Sequence, residues 1–205
     1  MPTHTTPSLL TLAALGALTV PAAASIVTVS GQTTLIGPPI DCSINQLAGT
    51  TAFAWDEQQN VSVTGLPTDE TQNPGGTAAP VFGVLSGVYD SHFLHFQGIP
   101  LNNAAGSVTF SGPIVGVIWN NAFLDISDGQ AGAPGTIYPT GYPTRGLLAP
   151  PPGVLSVNAN VLTFNFQNAF TPNDLVQVRI LTQVPAPGAC GLLATAGIFA
   201  ARRRR

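Results

Sequence analysis

Lysine is absent from this 205-residue chain, and its six basic residues are all arginine. Four of them close the sequence, so Arg145 and Arg179 are the only arginines ahead of that terminus. Between residues 25 and 183 these two face nine acids, a net charge of −7 with the histidines neutral. That balance excludes nucleic acid as a partner, because neutralising phosphates takes several clustered cations. Charge of either sign is scarce, at 7% of residues against about 25% in an ordinary globular protein. Solubility therefore rests on Asn, Gln, Ser and Thr, a surface that hydrogen-bonds to water and sugars and forms few ion pairs. The two cysteines, Cys42 and Cys190, provide no disulfide framework, since the second lies inside an apolar segment. Cys42 is expected to be buried as a small hydrophobe. No H-E-x-x-H, G-x-S-x-G or paired C-x-x-C occurs, so no familiar metalloprotease, serine hydrolase or thiol-metal signature is present.

What the chain does have is two apolar ends around one polar body. Residues 9–20 (LLTLAALGALTV) form an uncharged run, and Ala22 and Ala24 place small residues where a signal peptidase requires them. Residues 1–24 are expected to be a secretory signal peptide. At the other end, Val184, Pro185, Ala186, Pro187 and Gly188 precede an apolar segment, 189–201, which is followed by Arg202, Arg203, Arg204 and Arg205. The two prolines hold the backbone extended and forbid a helix through them. As a helix, the fourteen uncharged residues from Gly188 to Ala201 would cover about 21 Å, short of a hydrocarbon core of roughly 30 Å. Small residues crowd the segment, which suits transient membrane residence. The terminal arginines are costly to move into lipid and stay cytoplasmic, leaving the body outside.

The order Val184, Pro185, Ala186, Pro187, apolar segment, arginine cluster resembles the PEP-CTERM sorting signal, in its V-P-x-P variant. That resemblance covers about a tenth of the chain. It implies a bacterial surface or exopolysaccharide-associated protein whose tail is recognised and cut by exosortase, a membrane-embedded transpeptidase. The protein would then be a substrate of processing, with signal peptidase, exosortase and transiently the membrane as its partners.

Residues 25–183 make one domain's worth of chain. Glycine and proline, 22 and 19 residues, punctuate apolar runs, the layout of a β-protein. Alternation predicts strands at 161–166 and 176–181, each with one apolar face. An apolar run at 114–119 predicts a central strand. Further strands are expected at 26–29, 52–55, 61–64, 82–89, 92–96, 107–110, 123–126 and 155–157. Long loops are expected at 72–80 and 129–153. With no amphipathic helix of useful length, the expected fold is all-β: an antiparallel β-sandwich, a jelly roll being one form of it, flanked by a signal helix and a C-terminal transmembrane helix. Similar β-rich domains commonly precede such tails.

Candidate chemistry is sparse. His92 and His95, three apart on a strand, fall on opposite faces and cannot share one metal, so half-buried or surface polar positions are the expectation. Asp125 and Asp128 lie beside Gly129, where oxygen ligands for calcium can gather, although Asp-Gly turn chemistry explains them equally. Tyr138 and Tyr142, stiffened by Pro139 and Pro143, form a candidate sugar-stacking surface unless the tyrosines fold back over the edge of the body. Trp119 is expected in the core. The sequence points to a non-enzymatic exported envelope or matrix protein without a cofactor, with exopolysaccharide as a candidate ligand. A carbohydrate-binding surface module is the second reading. A membrane-anchored hydrolase with two carboxylates across a cleft is the third.

Overall fold

Alternating apolar residues become strand at every expected place but one. The computed structural model describes residues 25–71, 80–98, 103–147, 154–167 and 175–184. The expected signal peptide, Pro185 to Pro187, the apolar tail and its arginines lie outside the described residues.

Among the described residues, nine strands and one helix appear in the order β1 (Ile26–Gly31), β2 (Thr33–Leu35), β3 (Ala52–Thr68), β4 (Gly83–Phe96), β5 (Asn103–Phe110), β6 (Ile114–Ile118), α1 (Asn121–Ala131), β7 (Leu155–Asn158), β8 (Val161–Gln167) and β9 (Val176–Gln183). They form two sheets, β1-β5-β8-β7 and β2-β3-β4-β9-β6. The pairings are antiparallel except β2 with β3, which is parallel. The second sheet curls into a half-barrel, and Val117 of β6 bridges back to Glu70 just past the end of β3. β6 therefore ends the strand order instead of lying centrally. Its apolar second face is covered by the curl.

Four expected strands merge into two long ones. The polar residues 56–60 lie within β3, which absorbs them through two irregularities in its register with β4, a third following between Val63 and Leu66. Asn60 takes a positive φ of 54° there, and its N–H donates to Asp90. Asp90 and Ser91 likewise sit in β4 as buried polar residues. Bulges of this kind bend a strand and increase its twist, which is how one hairpin curls.

One expected strand is wrong. Residues 123–126 lie in α1, because Asn120 caps the helix by accepting from the Ala122 N–H at 3.0 Å. The inward residues are Leu124, Ser127 and Ala131, a helical spacing that carries too little apolar character to show in the sequence. Ile126 points outward, 49% exposed.

Two apolar clusters result. One fills the space between the sheets, where Phe164 stacks on Phe166 at 4.7 Å and Phe166 on Phe96 at 6.4 Å. Each such ring contributes about 1.5–3 kcal/mol by burial. The other lies inside the curl and holds Cys42, Trp55, Phe93, Ile118, Leu124 and Leu181. β9 separates them. Val176, Val178 and Ile180 face the first cluster, while Gln177, Arg179 and Leu181 lie on the face of the second, so both faces of this strand are buried. Among the described residues no helix is long and apolar enough to cross a membrane.

Candidate functional site

Both arginines of the body converge on one place, under α1. Arg179 comes from β9 and is fully buried. Its Nε donates to Glu57 Oε2 at 2.6 Å and its Nη2 to Glu57 Oε1 at 2.8 Å, a bidentate pair. Nη2 also reaches Asp128 Oδ1 at 3.1 Å, and Nη1 donates to Ser127 Oγ. The guanidinium lies over Phe93 at 4.9 Å and Tyr138 at 5.2 Å. Burial lowers its pKa, but Glu57 and Asp128 more than reverse that, and the net shift is upward.

Arg145 arrives from the loop after α1. It bonds Asp128 Oδ2 at 2.6 Å, Asp128 Oδ1 at 2.8 Å, Asp125 Oδ1 at 2.9 Å and, through Nε, Gln177 Oε1 at 2.6 Å. Gly146 makes this approach possible: its φ is +86°, and a Cβ there would run into the Trp119 carbonyl. Asp125 and Asp128, the candidate calcium ligands, thus stand on a helix face and hold arginine. Asp125 Oδ2 also accepts from the Gly141 N–H, and Asp128 Oδ2 from Thr140. Asp128 and Gly129 do not form the expected turn, since α1 runs through Ala131. Among the described residues no group of three His, Cys, Asp or Glu is placed to hold a metal ion.

Tyr138 turns inward. Its hydroxyl donates to Glu57 Oε1 and accepts from the Ala133 N–H at 2.8 Å, while Tyr142 keeps partial exposure and offers its carbonyl to Asn121. The two rings therefore do not form an outward pair. Burial, Glu57 and the hydrogen bond to it push the Tyr138 phenol up, so it stays protonated.

Gln177 extends the network. Its amide donates to the Cys42 carbonyl at 3.1 Å and to His95 Nδ1 at 3.0 Å. Burial pushes the His95 imidazole down to about 4, with the Leu47 backbone opposing and Arg145 adding to the effect. His95 is neutral at physiological pH. Burial likewise pushes the Cys42 thiol up to about 12, which removes it as a thiolate nucleophile.

The other histidine faces the opposite side of β4, as its spacing requires, although both are fully buried where partial exposure was expected. His92 Nδ1 lies 2.6 Å from Asp56 Oδ1 and Nε2 lies 2.9 Å from Thr182 Oγ1. Carboxylate, imidazole and hydroxyl are thus in line, the order used to activate a nucleophilic hydroxyl. A relay of that kind needs a substrate at the hydroxyl, and here Thr182 and His92 are both fully buried, with Phe110 packed 4.6 Å from the imidazole. Asp56 also accepts from the Ile26 N–H at 3.0 Å. The trio therefore links β1, β3, β4 and β9.

Sequence reasoning missed Glu57, Ser127, Arg145, Arg179 and the Asp56, His92, Thr182 alignment. One signal was there: in a body with two cations, Arg179 interrupts the run VQVRIL, a position where a charge is buried only if partnered. Ala22 and Ala24, Pro185 to Pro187 and Arg202 to Arg205 lie outside the described residues. Val184 is the last described residue, one past the end of β9. No protein-family model, no curated protein and no solved structure matches the chain.

Proposed function

We propose that the protein is an exported, non-enzymatic envelope or extracellular-matrix protein of a bacterium: a β-sandwich body delivered with a C-terminal tail that an exosortase-like transpeptidase recognises and removes. The observation carrying this reading is positional. β9 ends at Gln183, and the residues Val184, Pro185, Ala186 and Pro187 follow at once, ahead of the apolar segment and the arginines. A cut near the prolines would therefore release the tail while keeping every strand of the body.

The polar clusters support a structural role. Arginine, carboxylate, phenol and amide groups under α1 bond chiefly to one another, and on the other face the imidazole and hydroxyl of the aligned trio are fully buried. Such networks fix a fold instead of turning over a substrate. Intact-mass measurement of the protein recovered from its native cells tests the reading. The expected major species lacks residues 202–205 and residues 1–24. A major species that retains Arg205 overturns the processing step in favour of a simple anchor.

A further inference from the structure

Building on the loss of residues 1–24 proposed above, we infer that the fold is made to receive the amino group this cleavage creates at Ser25: the new α-ammonium rests on Ser111 beside the Asp56 carboxylate, a charged contact that the uncut chain lacks. Hydrolysis of the Ala24–Ser25 amide leaves Ala24 as a carboxylate and Ser25 with an amine that takes up a proton at neutral pH.

The receiving groups are in place. Ser25 is the first described residue, and β1 opens at Ile26. The Ser25 nitrogen donates to Ser111 Oγ at 2.9 Å, and the Ser25 carbonyl accepts from the Ser111 N–H at 3.0 Å, so Ser111 holds this residue at both ends. The next amide, of Ile26, donates to Asp56 Oδ1 at 3.0 Å. Successive backbone nitrogens lie at most about 3.7 Å apart, which sets the Ser25 nitrogen within about 6.7 Å of that oxygen. Asp56 Oδ1 also meets His92 Nδ1, whereas Oδ2 takes no hydrogen bond among the described residues and the side chain is 35% exposed. Rotation of this carboxylate is enough to turn an oxygen toward the ammonium.

A cation is wanted at this end of the body. Arg145 is committed to Asp125 and Asp128, and Arg179 to Glu57 and Asp128, both under α1. The titratable groups on the Asp56 side are Asp56 itself from β3 and His92 and Asp90 from β4, of which Asp90 accepts from the Asn60 N–H. Ser111 and Thr182, which complete the surroundings, carry no charge. The α-ammonium thus supplies positive charge to the Asp56, His92, Thr182 alignment only after the leader has gone, and marks the exported form of the protein.

Because lysine is absent, the amino group of a chain that starts at Ser25 is its only primary amine. Pulse acetylation across a pH series, read by mass on the N-terminal peptide of protein recovered from its native cells, therefore titrates this one site. The folded protein is expected to titrate at about pH 8.5 or above, and the same protein in concentrated urea in the ordinary α-amino range of about 7.7–8.0. Mere shielding would slow the reaction without moving its midpoint. Asp56→Asn, which keeps an oxygen for Ile26 and His92, should return the folded midpoint to the one found in urea. Recovered protein that begins at another residue removes both the N-terminal cleavage and the inference. Protein that begins at Ser25 but titrates alike when folded and in urea overturns the inference alone, with no variant needed.

Discussion

Replacing Arg179 by methionine keeps the length and removes the charge that neutralises Glu57. The Glu57 and Arg179 side chains are both fully buried. The variant leaves Glu57 with Ser91 at 2.7 Å and the Tyr138 hydroxyl as neutral donors, while Asp128 keeps Arg145 on both oxygens and Ser127 keeps the Leu124 carbonyl. Breaking a buried pair from one side costs about 3–5 kcal/mol. A domain of this size is stable by about 5–15 kcal/mol, so the loss is a large fraction of the total. With a urea slope of about 2 kcal/mol per M, the midpoint should fall by roughly 2 M. Trp55, packed 4.9 Å from the Phe93 ring that underlies the guanidinium, reports the transition by fluorescence. The double variant Glu57→Leu with Arg179→Met should recover at least about 1 kcal/mol relative to the sum of the singles, since no orphan anion remains. A single Arg179→Met variant whose midpoint stays within about 0.3 M of the parent would refute the reasoning, because it would mean that the cluster is solvated or dispensable.

Three further outcomes follow from buried groups. His95 titrates near 4 when folded and at about 6.5 when unfolded, so protonation favours the unfolded chain as pH falls through that window. Stability should drop by about 2 kcal/mol between pH 7 and pH 5 from this group, and His95→Gln should flatten that slope in urea titrations at the two pH values. Asp69 has the opposite sign. Burial raises its pKa despite N–H donors from Asn120 and Trp119, so its charge costs stability as pH rises past the ordinary carboxylate range. Asp69→Asn should therefore match or exceed the parent at pH 7 and lose that advantage in acid, as read by thermal unfolding. Gly146→Ala, which meets both a positive φ and the Trp119 carbonyl, should destabilise by at least about 2 kcal/mol in the same assay.

The strands were legible because apolar residues at every second position face a core whichever sheet they join. Val176, Val178 and Ile180 could be placed on one face of a strand from the sequence alone. What covers the other face could not, since Gln177 and Arg179 look like solvent-facing residues until Cys42 and Arg145 are known to meet the first and α1 the second. α1 itself was hidden for the same reason. Its inward positions include Ser127, which meets Arg179 from 52 residues away in the chain, and no local period reports so long-range a contact. The outward Ile126 then made 123–126 resemble a strand. In the same way, Asp56 to Asn60 resembled a break between two strands, whereas bulges let one long strand carry those polar groups inward. His92 and His95 were correctly set on opposite sides of β4, but their burial depended on Thr182 and Gln177, both supplied by the last strand.

The position of β9 also constrains the order of assembly. It lies between β4 and β6 in its sheet, yet it is the last of the described strands to emerge from the ribosome. Until residues 176–183 are available, the curled sheet has a gap at its centre, Glu57 has no guanidinium, and neither hydrophobic cluster can close. Nascent chain ahead of that point must stay loose, and completion of the two sheets is deferred until β9 has been made.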